Sequence, residues 1–420
     1  MLLMNTLTIL LIPKYLYFIS CKLDLVSASE LREFSFPGTD KLLKQSLKDL
    51  FKSKNSSLLN LKPLRNVVEQ CPELIVKNMK LTDFDYHLPP DRIAQSPLQQ
   101  RDASRLLVVD RGTHTFHHTR FSQIGEYLPD AALLVLNDTK VIPARLIGNK
   151  SGTGGKIELL LIREKETDIW EALAKPRRNL RIGTQIVFGN GALTAAVLAK
   201  PDDGHCIVCF NYEGTFSGIL AAVGMMPLPP YIRRTPNAED KVRYQSVYAA
   251  TEGAIAAPTA GLHFTQELLA ELKSNGLETA TLTLHVGPGT FQPVKVEEIQ
   301  THKMHAEYIH LTETEANRIR FAREAGVKIV AIGTTVVRAL ESAGTTGTVQ
   351  PYSGYSELFI YPGHRFNVVD ALVTNFHLPK STLLMLVSAF AGKDLMQKAY
   401  QEALEHDYRF YSYGDAMLIL

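Results

Sequence analysis

No helix can be drawn between Gly148 and Glu213, although strand and helix signals alternate on both flanks. Within that stretch, residues 156–163, 168–174, 184–189, 192–199 and 205–212 read as strands. Asn190-Gly191 and Pro201-Asp202-Asp203-Gly204 supply hairpin and turn chemistry between them. A run of short strands joined by turns closes on itself as a barrel or pairs into a sandwich. The reading is an α/β core domain with an inserted small antiparallel β-barrel domain: 79–147 and 214–420 form the core, and 148–213 the insert.

The flanks carry strands that end in polar or glycine turns. Ala131–Leu136 is a buried strand ending at Asn137-Asp138-Thr139-Lys140. Polar residues there mark a site or an Asx-turn, and both readings stay open. Thr279–Val286 is β-branched and runs into Gly287-Pro288-Gly289. Val327–Ile332 runs into Gly333-Thr334-Thr335, a tight strand-to-helix turn, and Val368–Thr374 is a further strand. Thr265 caps a helix whose apolar face is Leu268, Leu269 and Leu272. Thr312 and Glu315 form a capping box, and Ser381 caps an apolar helix expected to be buried on all sides. Two glycine runs fail as nucleotide loops. Ser151-Gly-Thr-Gly-Gly-Lys156 is followed by a strand, and Gly287-Pro288-Gly289 leads to no helix.

A chain of 420 residues implies two or three domains. Residues 1–78 hold 11 Lys and Arg against 7 Asp and Glu, a net of +4, whereas the rest hold 34 against 36, a net of −2. The body therefore has no global field suited to nucleic acid, and any RNA binding must come from local patches. Two patches stand out: Lys175, Arg177, Arg178 and Arg181 on a connection of the β-domain, and Arg233-Arg234. Residues 1–20 are apolar but lack a positively charged n-region, and Pro13 and Lys14 interrupt them. Residues 1–78 read as a poorly ordered extension, with a membrane-targeting leader as the alternative. Cys21, Cys71, Cys206 and Cys209 make no disulfide framework, which suits a reducing cytoplasm. Cys206 and Cys209 have metal-site spacing, but residues three apart on a strand face opposite ways, so no metal is expected.

The blocks GAIAAPTAGLHFT, HVGPGTFQPV, IGTTVVRALES, FIYPGHRFNVVDALVTNFHLPKSTLLMLVSAFAG and YRFYSYGDAMLI closely resemble the S-adenosylmethionine:tRNA ribosyltransferase-isomerase family of queuosine biosynthesis. So do PARLIG, KIELLL, ALAKPRR and PLPPYIRR, and the resemblance runs from Met79 to Leu420. It implies a cytoplasmic monomer that needs no metal and uses S-adenosylmethionine as a co-substrate. Its other substrate is tRNA carrying 7-aminomethyl-7-deazaguanine at the wobble position, and no membrane is involved. The ribosyl unit is transferred and rearranged to give epoxyqueuosine in tRNA, with adenine and methionine released.

That chemistry asks for general acids and bases with pKa values near working pH. His263, His285, His302 and His305 lie in the matching blocks, and Asp138 and Glu252 are the carboxylate candidates. His263, ahead of a helix start, is the expected base at C5′, facing one cavity with His285. The helix start at Gly333-Thr334-Thr335 suits the cofactor carboxylate, with Thr259, Gly261 and Arg338 as further cofactor candidates. Lys175, Arg177, Arg178, Arg181, Arg233, Arg234 and Lys380 are the expected tRNA contacts. A non-catalytic RNA-binding protein is the alternative. A small-molecule methyltransferase is disfavoured, since the glycine-rich first strand-loop of that fold is missing.

Overall fold

Parallel pairing of fully buried strands sets the architecture. The structure is a computed structural model. It describes residues 79–201, 204–287, 289 and 294–420, with Asn179 by its backbone alone, and the backbone of two strands nearer the N-terminus. Those two, Leu7–Leu11 and Tyr17–Cys21, pair antiparallel within a separate unit, Met1–Met79. The readings of 1–78 as an unordered extension or a leader otherwise lie outside the described residues. Among the described residues no helix is long and apolar enough to cross a membrane.

In the unit Lys80–Leu420, the chain first lays down β1 (Arg105–Asp110), β2 (Thr115–Arg120), β3 (Ala132–Asn137) and the short β4 (Thr139–Val141). The barrel strands follow: β5 (Arg145–Lys150), β6 (Lys156–Glu166), β7 (Ile169–Lys175), β8 (Gln185–Phe188), β9 (Leu193–Ala199) and β10 (His205–Tyr212). The return to the core brings α1 (Phe216–Val223), β11 (Thr251–Ala254), α2 (Gln266–Ser274), β12 (Glu278–Leu284) and β13 (Glu307–Leu311). Then come α3 (Glu313–Glu324), β14 (Lys328–Ile332), α4 (Thr334–Ala343), β15 (Tyr352–Ser356) and β16 (Ala371–Asn375). Helices α5 (Thr382–Ala391) and α6 (Lys393–Glu405) and strand β17 (Ala416–Ile419) complete it.

The barrel closes in the order β8-β9-β10-β7-β6-β5. Its sixth strand, β5, begins three residues before the expected start of the insert and was not among the strands read from the sequence. Alternation fills the interior: Cys206, Val208 and Phe210 of β10 point inward, and Cys209 points the other way, as the strand reading requires. Asn190 and Gly191 turn the chain with φ of 56° and 99°.

The core sheet has nine strands in the order β15-β13-β12-β3-β14-β16-β17-β1-β2. Strands β12, β3, β14 and β16 run parallel, and every residue of β3 and β16 is buried. The chain enters β12 on one side of β3 and β14 on the other, so sequence order breaks at β3. Ligands in open α/β sheets bind beyond the carboxyl ends of strands at such a break. Thr265, Thr312 and Ser381 cap α2, α3 and α5 as expected. Glu315 departs from the capping box: its carboxylate accepts from Thr281 N at 3.1 Å and so fastens α3 to β12.

Candidate active site

The carboxyl ends of β3 and β12 and the start of α4 are tied together by one buried amide. Asn137 Oδ1 accepts from Thr139 N at 3.1 Å and Leu284 N at 3.0 Å. Its Nδ2 donates to Leu284 O at 3.0 Å and Thr335 Oγ1 at 3.3 Å. The first contact is the Asx-turn, and the others make the same residue the rivet of the strand ends. Asp138 follows, accepting from Thr283 Oγ1 at 2.6 Å and from Thr251 Oγ1 at 3.4 Å. β11 pairs in parallel with β4 and brings Glu252 to Lys140, 2.9 Å apart.

His285 leaves β12 into this frame. Its Nδ1 shares a 2.8 Å hydrogen bond with Thr139 Oγ1, and its ring stacks on Tyr308 at 6.0 Å. Gly253 passes over the ring so closely that a Cβ there would stand 2.8 Å from Nε2. Burial holds the imidazole pKa below 6.5 against the opposing pull of the Asp138 carboxylate, so the neutral ring dominates at neutral pH. The ring lines a cavity of about 840 Å³ between the core sheet and the barrel. Lys140, Glu252 and His305 line its core side, and Arg163, Glu171 and His205 its barrel side.

A second cavity, of about 400 Å³, lies at the ends of β14 and β16. Gly333, Thr334 and Thr335 line it at the start of α4, with Thr259, His377 and Lys380. Gly333 has φ of 100°, a region that favours glycine, and its carbonyl accepts from Val336 and Val337 N. Val286, next to His285, lines both cavities.

Several sequence expectations are corrected here. His263 does not face a cavity with His285. Asn375 Oδ1 accepts from Thr259 Oγ1 at 2.8 Å, so Nδ2 of the same amide donates to His263 Nε2 at 2.9 Å. His263 Nδ1 is 2.7 Å from Ser104 Oγ, and the ring stacks on Phe121 at 5.0 Å. Burial, with Arg101 and Arg409 nearby, pushes its pKa down to about 3. Both nitrogens are satisfied inside the core, and the helix-start argument fails because a 3-10 turn ends at His263 before α2 begins. Gly261 is a packing glycine: a Cβ would stand 2.2 Å from Tyr248 OH. Arg338 is buried one turn into α4, where it pairs with buried Glu307 and donates to Leu358 O. Glu307 in turn accepts from Gly287 N at 3.1 Å, so the pair props up the loop after His285. His302 packs edge-on against Phe359 outside the larger cavity, whereas exposed His305 lines it.

Of the basic candidates, Lys175, Arg178, Arg181 and Arg233 are exposed. Arg177 is partly held by the carbonyls of His205 and Pro201. Arg234 is spent on a two-pronged pair with buried Asp240, both contacts 2.7 Å. Lys380 reaches Asp85 at 2.8 Å and lines the smaller cavity. Sequence reasoning missed His377, which bonds Thr374 Oγ1 at 2.8 Å and whose burial lowers its pKa to about 3. The signal was there: Asn375-Phe-His377 is a polar turn at a strand's carboxyl end.

The family of queuosine biosynthesis proteins matches this chain over residues 81–419. An S-adenosylmethionine:tRNA ribosyltransferase-isomerase of Acetivibrio thermocellus is 51% identical over 342 residues, covering 81% of this chain and all of that protein. One of Desulfitobacterium hafniense is 52% identical over 343 residues with the same coverage. A crystal structure of an S-adenosylmethionine tRNA ribosyltransferase from Thermotoga maritima is 40% identical, with a TM-score of 0.46, covering 80% of this chain and all of that one.

Proposed function

The chain belongs to the queuosine biosynthesis protein family, and from that premise we propose the reaction it carries out. It transfers and isomerises the ribosyl unit of S-adenosylmethionine onto the 7-aminomethyl-7-deazaguanine at the tRNA wobble position. Epoxyqueuosine forms in the tRNA, and adenine and methionine leave. S-adenosylmethionine is a co-substrate, and the protein acts as a cytoplasmic monomer.

The carrying observation is that Val286, beside His285, lines both cavities. The methionine carboxylate lies against the free N–H groups that open α4 at Thr334 and Thr335. The ribose and sulfonium reach Val286, and the tRNA nucleoside occupies the larger cavity. The sulfonium acidifies C5′. With Nδ1–H given to Thr139, His285 Nε2 takes the C5′ proton, and the electron pair stays on carbon. The C5′ carbanion expels O4′ from C4′, and that oxygen expels adenine from C1′, leaving a C1′ aldehyde; adenine takes the proton held by His285. The neutral tRNA amine adds to C4′ and loses a proton to solvent, which restores the carbanion at C5′. That carbon adds to the C1′ aldehyde to close the carbocycle, and the resulting alkoxide displaces methionine from C5′ to form the epoxide. A base so placed contributes on the order of 10²–10⁴-fold. Lys175, Arg178, Arg181 and Arg233 contact tRNA phosphates in this reading.

Incubating the protein with S-adenosylmethionine and tRNA bearing the aminomethyl base tests it. Free adenine and a nucleoside mass matching epoxyqueuosine support the proposal. Tight tRNA binding with S-adenosylmethionine left whole favours a non-catalytic RNA-binding protein instead.

A further inference from the structure

Three ligating side chains that line neither of these cavities converge where the edge strand β2 meets the last turn of α6. His118 Nε2 and His406 Nδ1 each stand 3.1 Å from Glu402 Oε1. The three atoms all lie within 4.8 Å of one another, and the two rings are 4.4 Å apart. We propose that His118, Glu402 and His406 bind a divalent first-row metal, zinc or a close relative.

Three arguments carry this. The first is spacing. In a tetrahedral site with bonds of about 2.0–2.1 Å, ligand atoms stand about 3.3 Å apart, close to both observed contacts. The second is the proton on His118. The hydroxyl of Tyr408, a fully buried residue, donates to Leu106 O at 3.4 Å and lies 2.9 Å from His118 Nδ1. When the imidazole carries its proton on Nδ1, the phenol oxygen accepts it, and Nε2, 3.1 Å from the Glu402 carboxylate, can ligate a metal shared with that oxygen. Ligating histidines typically donate their other N–H in this way. The third is field. His406 caps the carboxyl end of a thirteen-residue helix, whose terminal carbonyls favour a cation. His406 Nδ1 also lies 3.0 Å from Glu402 O, a helix-end contact that a bound metal replaces. The opposing charge is Arg105, stacked on Tyr408, with Nη1 bonded to His406 O and Nε 3.6 Å from Asp415.

Two imidazoles and one carboxylate suit zinc, cobalt or nickel better than magnesium or calcium. The site has no part in the reaction above. A metal here pins β2 to α6 just ahead of the segment that brings Tyr411 and Ser412 to the smaller cavity.

The test uses the full chain without an affinity tag, dialysed against chelator. Zinc titrated by calorimetry, and cobalt followed by its visible absorption, should bind one per chain and raise the melting temperature. His118→Ala and His406→Ala should each remove that binding. Tyr408→Phe keeps all three ligands and should weaken it about 10–100-fold. Should an alanine variant unfold, the isosteric change Glu402→Gln reads the same loss. Absence of stoichiometric binding, or binding that survives the double His118→Ala/His406→Ala change, would overturn the proposal. Equal zinc affinity in Tyr408→Phe would overturn the proton argument with it.

Discussion

His263 and His285 occupy matching positions in the sequence, each beside a small-residue turn in a block shared with the family. The fold gives them opposite fates. His263 has Ser104 on one nitrogen and Asn375 on the other, under Phe121. His285 has Thr139 on Nδ1, and its ring borders the larger cavity. Burial lowers both pKa values, but for His263 it does so in a closed core and for His285 at a cavity wall. A lowered histidine pKa therefore does not mark a base by itself. What separates the two is whether a lone pair faces space that a substrate can enter.

The contrast can be broken by substitution. The largest effect falls on His285→Gln, which should cut turnover on the order of 10²–10⁴-fold with little change in melting temperature. A near wild-type rate would remove His285 from the reaction. Next comes Gly333→Val. A non-glycine residue at φ of 100° carries a strain on the order of 1–3 kcal/mol, felt at the start of α4. The KM for S-adenosylmethionine should rise on the order of tenfold or more while that for tRNA holds; equal rises would indicate misfolding.

His263→Ala should cost about 1–3 kcal/mol of stability by orphaning Ser104 and Asn375, with kcat of the folded enzyme changed little. Its pH dependence sharpens the contrast. The unfolded imidazole titrates near 6.5 and the folded one near 3, so between those values the unfolded chain binds the extra proton. Stability is then complete above pH 6.5 and falls toward pH 3, by up to about 1.4 kcal/mol per unit for this group. The His263→Ala acid-unfolding curve should be shallower across that window. The smallest effect per residue belongs to the barrel. Neutralising Arg178 and Arg181 should lower the log–log salt slope of tRNA binding by about 0.7–0.9 for each phosphate they neutralise. An unchanged slope would remove that connection from the RNA surface.

Local patterns were enough for five of the six barrel strands and for the parallel strands. Alternation in residues 192–199 and 205–212 matched the strands found, and the turn at Gly333 opens a helix as expected. The edge strands β2 and β15, and β13 beside β15, were illegible because their exposed residues are mixed and their identity comes from a neighbour's pairing. Long-range partners decided the site. Nothing near His263 signals Ser104 or Asn375, 159 and 112 residues away. Arg234 looked like a phosphate contact because Arg233-Arg234 is a basic pair, yet a buried aspartate six residues on claims it. His118 and Glu402 lie 284 residues apart, beyond the reach of any spacing rule.

The central claim is that His285, and not His263, removes the C5′ proton. Exchange of the 5′ hydrogens of S-adenosylmethionine with deuterated solvent, in the presence of substrate tRNA, tests it directly. His263→Gln should exchange at a rate within a few-fold of wild type once corrected for folded protein, and His285→Gln should show none above background. Exchange abolished in a folded, tRNA-binding His263→Gln but retained in His285→Gln would contradict the account.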